Sequence, residues 1–198
     1  MQNSFQKRAD IWDKSSRRLN GAKKIADAII KTIPLHKEME IIDFGTGTGL
    51  LGFLIAPKVK QVHGVDTSSK MLKKLQEKNS IKLSIKPYCQ DIIKQPLNQK
   101  FDALISSMTL HHIEDLELFF ETIYNSLKEN SFIAIADLVL ENGSFHSDNS
   151  DVFHFGFDEN ILSNIVQKAG FKNIYFEVIN TINKPHGDFD IFLLSAKK

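Results

Sequence analysis

The feature that most constrains this chain is a short apolar run that ends in an acid and three alternate glycines. Residues 39–44 are apolar and β-branched enough to form a buried strand. Gly45, Gly47 and Gly49 follow, and glycines let the backbone turn tightly and approach a ligand without a Cβ clash. Residues 50–56 then have the apolar spacing of a helix. A strand, a glycine loop and a helix in this order are typical of a module that binds a nucleotide cofactor.

Asp43, the acid in this run, helps to separate two classes of cofactor. A dinucleotide places its pyrophosphate on the N-terminus of the following helix, where a neighbouring carboxylate repels it. S-adenosylmethionine has no phosphate and carries an ammonium and a sulfonium, so the same carboxylate attracts it. Residues 47–52 also satisfy the dinucleotide pattern G-x-G-x-x-G, which is weak evidence by itself, so the loop alone leaves both classes open.

The next predicted strand, Gln61–Asp66, ends in an acid roughly 20 residues after the glycine loop. A carboxylate at that position can accept hydrogen bonds from the ribose hydroxyls of either adenosine cofactor. Thr67 and Ser68 are helix-capping residue types, and Met71 one turn later would set an apolar side chain near the adenine. A third strand is predicted to end within residues 88–91, and a fourth is predicted over Phe101–Ser107.

These four motifs, in this order, resemble the class I S-adenosylmethionine-dependent methyltransferases, in the branch of small bacterial enzymes that act on small molecules. The first loop of that family reads Asp/Glu-x-Gly-x-Gly-x-Gly, and residues 43–49 match every fixed position. The resemblance covers about residues 20–198 and implies S-adenosylmethionine as the cofactor. A set of four ordered motifs is far more specific than one glycine loop.

The resemblance also implies roles for individual residues. The backbone of Gly45 and Gly47 would meet the amino-acid end of the cofactor, and Asp66 would hold the ribose. Asp91 would accept from the adenine amino group, while the backbone N–H of Ile92 would donate to the ring. The carbonyl of Ser106 would face the cofactor ammonium. The full predicted cofactor set is Asp43, Gly45, Thr46, Gly47, Asp66, Thr67, Met71, Gln90, Asp91, Ile92 and Ser106.

The C-terminal third predicts how the sheet closes. Residues 131–140 read as a fifth strand and residues 161–169 as a helix, and residues 173–179 and 189–196 read as two last strands. Only a polar connection over residues 180–188 separates those two strands, so they must pair antiparallel, because a parallel crossover needs a dozen or more residues.

The predicted fold is therefore α/β. It is a Rossmann-like, doubly wound, mostly parallel seven-stranded sheet with a C-terminal antiparallel hairpin and helices on both faces. We expect a single domain over residues 1–198, in which residues 1–33 form N-terminal cap helices and residues 34–198 form the cofactor-binding core. An amphipathic helix over residues 22–33, ending before Pro34, belongs to that cap.

Composition narrows the function classes. A chain of 198 residues with 42% hydrophobic residues supports one core, and a net charge of +1 gives no electrostatic footprint for nucleic acid. There is no apolar run of about eighteen residues, so we expect no membrane partner and a cytoplasmic location. The single cysteine, Cys89, excludes an internal disulfide and a thiolate metal cluster and is predicted to be a small buried residue. Residues 106–109 lack the Asn/Asp-Pro-Pro-aromatic tetrad of enzymes that methylate the amines of nucleic-acid bases.

Candidate catalytic residues follow the fourth and fifth strands. His111 and His112 come just after the fourth strand, and a histidine there can take a proton from a hydroxyl or thiol acceptor. Asp137 ends the buried fifth strand and faces the same edge of the sheet as the cofactor. The alternative interpretation of each histidine is that it caps or orders the loop before the next helix.

Other residues are candidates for lining the acceptor pocket. Trp12 is a candidate to cover the methyl-transfer centre, or alternatively to pack an N-terminal helix on the sheet. His146 and His154 lie in the connection after the fifth strand, whose spacing matches no metal motif, so no metal is expected. Three functions remain open: a methyltransferase acting on a small molecule, the same chemistry on a protein or RNA, and a non-catalytic module that binds this cofactor or a dinucleotide.

Overall fold

The computed structural model describes residues 9–81 and 83–198, so Phe5 and the rest of the predicted cap before residue 9 lie outside the described residues. A 3-10 turn, Ala9–Lys14, opens the described chain. The α-helices are α1 (Ser16–Thr32), α2 (Leu50–Ile55), α3 (Ser69–Lys78), α4 (Leu116–Ser126) and α5 (Glu159–Lys168). The strands are β1 (Glu40–Phe44), β2 (Gln61–Asp66), β3 (Ile85–Cys89), β4 (Phe101–Ser107), β5 (Leu127–Leu138), β6 (Lys172–Lys184) and β7 (Gly187–Lys197).

Helix α1 is longer than the sequence predicted. It begins at Ser16 rather than at residue 22, because the Ser15 side chain accepts from the Arg18 N–H at 3.4 Å and caps the helix. Its buried residues recur at helical spacing and cover the sheet, namely Ala22, Ile25, Ala26 and Ile29. The predicted end before Pro34 is confirmed, since the helix ends at Thr32.

The seven strands form one sheet in the order β3-β2-β1-β4-β5-β7-β6. β1 to β5 pair in parallel, and β7 runs antiparallel to both β5 and β6. Helices α1, α2 and α3 bury apolar residues on one face, while α4 and α5 do so on the other. The predicted doubly wound fold with a closing antiparallel hairpin is therefore confirmed. The winding reverses between β1 and β4, so the carboxyl ends of these strands open the crevice where ligands bind in such sheets.

The last hairpin differs from its prediction. The predicted polar connection over residues 180–188 is wrong, because β6 and β7 continue until only Pro185 and His186 separate them. Polar side chains pair across the two strands there: Thr181 donates to Asp190 at 2.6 Å and Asn183 to Asp188 at 2.7 Å. We call residues 180–191 the hairpin arm, because they extend the hairpin towards helix α1.

Two further predictions need correction. Strand β5 spans Leu127–Leu138 rather than residues 131–140, so the connection that leads from it to α5 begins earlier in the sequence than predicted. Cys89 is exposed rather than buried, because it ends β3, which is an edge strand of the sheet. Across residues 9–81 and 83–198, every helix is too short or too polar to span a lipid bilayer.

Candidate active site

A cavity of about 790 Å³ opens at the carboxyl ends of β1 and β4. Its walls come from the glycine loop, the N-terminal segment, the connection between β5 and α5, and the hairpin arm. Fourteen predicted site residues line it: Trp12, Asp43, Gly45, Thr46, Gly47, Asp66, Thr67, Met71, Gln90, Asp91, Ile92, His111, His112 and His146. Ser106, Asp137 and His154 lie outside the lining. The fold thus gathers most of the predicted cofactor and acceptor residues around one space.

The glycine loop leaves room for a ligand next to the backbone. Gly45 has φ 65°, and a Cβ built on it would come within 2.2 Å of the Thr109 hydroxyl oxygen, so glycine is required there. Gly47 has φ 55°, and a Cβ on it would meet nothing closer than a backbone oxygen at 3.9 Å. Position 47 therefore borders the open cavity, as a loop that lies against a cofactor must.

Asp66 organises the end of this loop. Its Oδ2 accepts the Gly47 N–H at 2.8 Å, and its Oδ1 accepts the Ser68 N–H at 2.7 Å. Burial raises the pKa of this carboxyl above its ordinary value, although the hydrogen bonds from the backbone N–H groups oppose the rise. Each carboxylate oxygen has a second lone pair, so Asp66 retains acceptor capacity for ribose hydroxyls at the cavity surface.

Asp43 lies deeper, at the end of β1, and is 1% exposed. Its Oδ2 accepts from the Thr46 hydroxyl at 2.6 Å. Burial raises the pKa of Asp43 to about 7; the Thr46 hydrogen bond opposes the rise, and the nearby charge of Asp66 adds to it. Without a cation in the cavity, Asp43 therefore keeps its proton to a higher pH than an ordinary aspartate.

The predicted adenine end has acidic and apolar walls. Asp91 accepts the Ile93 N–H at 3.0 Å and forms an ion pair with Lys94 at 3.3 Å, while Gln90 donates to the Gln95 carbonyl at 2.6 Å. Ile92 and Met71, among the predicted cofactor residues, are buried apolar parts of the same wall, and Thr67 is exposed beside them. Their contacts with a cofactor stay predictions.

Ser106 lies within the sheet, behind the cavity. It is fully buried, and its hydroxyl donates to the Phe44 carbonyl at 2.8 Å. The residues that line the cavity at the end of β4 are its neighbours Ser107, Met108 and Thr109. Met108 adopts φ 55°, an uncommon conformation for a residue with a side chain, so the backbone turns sharply at the edge of the site.

The end of the cavity predicted to hold the acceptor contains a buried pair of His111 and Asp137. His111 Nδ1 lies 2.7 Å from Asp137 Oδ1, and both residues are at most 1% exposed. Asp137 also accepts the His111 N–H at 3.2 Å and the Leu138 N–H at 2.7 Å. Burial disfavours the charge on Asp137, but His111 and these hydrogen bonds hold its pKa below the ordinary value. Among the described residues, the buried His111 Nε2 has no hydrogen-bond partner.

Two more histidines crowd this end of the cavity. The ring centroids of His112 and His146 lie 4.1 and 4.8 Å from that of His111. Burial lowers the pKa of His146 to about 4, helped by the neighbouring histidines, and burial also lowers the pKa of His112. Both are therefore neutral at pH 7. His154 turns its Nε2 to the Ile113 carbonyl at 2.8 Å, which holds the loop behind the cavity wall.

The N-terminal segment is fastened across the cofactor end. Asp13 accepts from the Thr48 hydroxyl at 2.5 Å and pairs with Lys78 at 2.7 Å, so it links the glycine loop to α3. The Arg18 guanidinium lies 4.0 Å from the centroid of the Trp12 ring. Trp12 thus packs against a cation at the rim of the cavity.

Sequence reasoning missed several lining residues. Arg17 was not among the predicted site residues, but it lines the cavity. Asn180, Ile182 and Lys184 line it from the hairpin arm, where a connection was predicted. Their period-two spacing is the signal for one face of a strand, and it was available in the sequence. Phe145 joins them from the connection after β5.

The residues present fit S-adenosylmethionine better than a metal. Asp43 and Asp66 place acidic side chains beside the glycine loop, where they attract a cation. At Gly47 the backbone of this loop is open to the cavity, since a Cβ there would extend into the cavity. Within the described ranges, no group of three or more histidine, cysteine or acidic side chains is arranged to hold a metal ion.

The sequence is similar to known methyltransferases. The family model described as methyltransferase domain matches residues 35–154. An uncharacterised methyltransferase of Schizosaccharomyces pombe is 29% identical over 153 residues, covering 68% of this chain and 54% of that protein. The chain spans about half the length of the curated relatives it matches.

Solved structures agree on the fold. Phosphoethanolamine N-methyltransferase 2 of Haemonchus contortus, in complex with S-adenosyl-L-methionine, has a TM-score of 0.71 at 18% identity, covering 98% of this chain and 60% of that one. A S-adenosylmethionine-dependent methyltransferase from Clostridium acetobutylicum has a TM-score of 0.68 at 20% identity, covering 97% and 98%. At these identities the likeness concerns the fold. Because the family model matches more than half of the chain, the chain belongs to the methyltransferase domain family.

Proposed function

We propose that this chain methylates a hydroxyl or thiol of a small molecule, with S-adenosylmethionine as the methyl donor and His111 as the general base. The observation that carries the proposal is the single cavity that joins the glycine loop to the His111–Asp137 pair. Its volume of about 790 Å³ lies in the usual range of small-molecule sites and suits a cofactor with a small acceptor.

The chain's own residues would hold the cofactor at one end of the cavity. Asp66 would accept from the ribose, the backbone of Gly45 and Gly47 would lie against the amino-acid end, and Asp43 would face its positive charge. When bound, S-adenosylmethionine supplies an electrophilic methyl group on a good leaving group. The protein's main task is then to orient the acceptor in a space shielded from water.

His111 is suited to take the acceptor's proton. The carboxylate of Asp137 beside Nδ1 favours the tautomer in which Nδ1 carries the hydrogen, so Nε2 keeps its lone pair. The absence of a partner for that Nε2 among the described residues supports its availability to an acceptor at the cavity surface. Asp137 is a positioning residue, because it lies outside the lining and acts through His111.

Cofactor binding can be tested without knowledge of the acceptor. We expect titration calorimetry to give binding of S-adenosylhomocysteine in the micromolar range and NAD binding at least about tenfold weaker. Asp66→Ala should weaken S-adenosylhomocysteine, since it removes charge-assisted hydrogen bonds worth roughly 1.5–3 kcal/mol each. Equal affinity of the wild type and Asp66→Ala would contradict the cofactor assignment.

Methyl transfer is tested with labelled S-adenosylmethionine and a whole cell extract, which is then separated into low-molecular-mass, RNA and protein fractions. The proposal expects label in a small product. His111→Gln should lower the rate about 100-fold or more and leave S-adenosylhomocysteine affinity within about twofold, because general bases contribute about 10²–10⁴-fold. His154→Gln is the matched control, since that ring lies outside the cavity lining. Label in RNA or protein alone would refute the small-molecule proposal and support the macromolecular alternative.

A further inference from the structure

We propose that Arg17 and Lys184 form a subsite that binds an anionic group, a carboxylate or a phosphate, on the methyl acceptor. This inference rests on the proposed function, because it assigns a chemical class to the acceptor of the same cavity. Arg17 comes from the first turn of α1 and Lys184 from the hairpin arm, so two elements far apart in sequence bring two cations to one wall.

Among the described residues, Arg17 and Lys184 make no ion pair with a carboxylate. The Lys184 ammonium donates to the Phe145 carbonyl, which leaves two of its three donors for a ligand. Burial lowers the pKa of Lys184, and the positive charge of Arg17 lowers it further, as expected for two cations that share a partly buried wall without a counter-ion.

One acid, Glu141, acts on Lys184 from outside the cavity lining, and its buried Oε1 has no hydrogen-bond partner among the described residues. Glu141 contributes an opposing negative charge near Lys184, but its Oε2 accepts the Ser144 and Phe145 N–H groups at 2.8 and 3.1 Å. Of the acids that line the cavity, Asp43 and Asp66 lie at the glycine loop, and the others are Asp91, Glu114, Asp115, Asp148 and Asp151. A bound anion would supply a counter-charge to Arg17 and Lys184.

The subsite lies at a suitable distance from the proposed base. The Lys184 ammonium lies 3.6 Å from the centroid of the Phe145 ring, that ring 4.7 Å from His146, and His146 4.8 Å from His111. Three successive contacts of this size separate the ammonium from His111. One small molecule with an anionic end and a hydroxyl or thiol end can span that separation.

Part of the cavity lining near Lys184 is apolar. Phe145 contacts the Lys184 ammonium, and Ile182 precedes Lys184 by two residues on β6; both line the cavity. An aromatic or aliphatic body would bury its surface against these side chains while its charged end meets Arg17 and Lys184. The acceptor class that fits both ends and the wall is therefore a small apolar acid, or its phosphate counterpart, with a nucleophilic hydroxyl or thiol.

The test measures probe binding to protein saturated with S-adenosylhomocysteine. Benzoate, phenyl phosphate and the neutral benzamide share one ring and differ in charge. We expect benzoate or phenyl phosphate to bind at least about fivefold more tightly than benzamide, as charge-assisted hydrogen bonds require. The better of the two anions tells whether the subsite suits a carboxylate or a phosphate.

Variants assign the preference to the two cations. Arg17→Gln and Lys184→Gln should each reduce the preference over benzamide to about twofold or less, while Lys184→Arg should retain it. Lys24→Gln is the matched control, because this exposed lysine of α1 bonds Asn180 at 2.7 Å but lies outside the lining. Arg17 is exposed, so its substitution does not threaten the fold.

The outcomes separate this inference from the proposed function. Equal affinity for the anions and benzamide, no saturable binding of either anion, or a preference that survives both glutamine substitutions would each overturn the subsite. If the wild type does not bind S-adenosylhomocysteine, that result would instead refute the cofactor assignment on which the subsite depends.

Discussion

The affinity for S-adenosylmethionine should fall as the pH falls below 7, because Asp43 must be ionised to attract the cofactor. Asp43 is 1% exposed, and burial raises its pKa to about 7 in the ligand-free protein. A cationic ligand beside the carboxylate lowers this pKa, so binding releases a proton. The thermodynamic link between the two requires that protonation weakens binding.

The expected size follows from the pKa. With a pKa of about 7, Asp43 is about half ionised at pH 7 and about one tenth ionised at pH 6. If the bound cofactor keeps Asp43 ionised over this range, affinity should drop about fivefold between pH 7 and pH 6. The amino group of the cofactor stays protonated in this window, since α-amino groups titrate at about 7.7–8.0.

The assay is titration calorimetry at both pH values, repeated in buffers with different heats of ionisation. About half a proton should be released for each cofactor bound at pH 7. Asp43→Asn keeps the size of the side chain and removes the charge. At pH 7 the variant should bind the cofactor more weakly than the wild type does, and its own affinity should change little between pH 7 and pH 6. 5′-Methylthioadenosine, which lacks the charged amino-acid end, should show little pH dependence in either protein.

The stability of the ligand-free protein gives an independent measure of the Asp43 pKa. The folded pKa of Asp43 is raised above its unfolded value, so its stabilising contribution is present below pH 3.8 and is lost as the pH rises through about 7. The shift corresponds to about 4 kcal/mol at about 1.36 kcal/mol per pKa unit. At pH 8 the ligand-free Asp43→Asn variant should therefore unfold at a higher temperature than the wild type. A wild type whose affinity and proton release do not change between pH 6 and 7 would refute this reasoning.

Two further variants test the loop and its fastening. Gly45→Ala should destabilise the protein by about 2 kcal/mol or more, since φ is 65° and the new Cβ would lie 2.2 Å from Thr109. Gly21→Ala is the control: a Cβ there has no atom within 4 Å, so this variant should gain about 0.5–1 kcal/mol of stability. Equal melting temperatures of the two variants would contradict the geometry of the loop. Asp13→Ala removes the bond to Thr48 and should weaken S-adenosylhomocysteine about two- to fivefold, with only a small change in melting temperature. Unchanged affinity would mean that this fastening is unrelated to the cofactor.

Local pattern was enough for the cofactor end of the site. The strand, glycine loop and helix, the acid after β2 and the antiparallel closing hairpin are each encoded within about ten to twenty residues. Each depends on the spacing of apolar residues or on the conformations open to glycine, which are properties of neighbouring residues. Gly45, Gly47 and Asp66 accordingly line the cavity where the sequence predicted.

The acceptor end was decided by tertiary structure. His111 and Asp137 are separated by 26 positions, and His146 meets them only because the connection after β5 folds back over the sheet. Lys184 reaches the cavity lining because polar cross-strand pairs extend the hairpin beyond its apolar part. The sequence supplied the residue types of this site and the charge of Asp43. Which groups meet, and how far burial shifts the pKa of Asp43, depend on contacts between distant segments and on the water those contacts exclude.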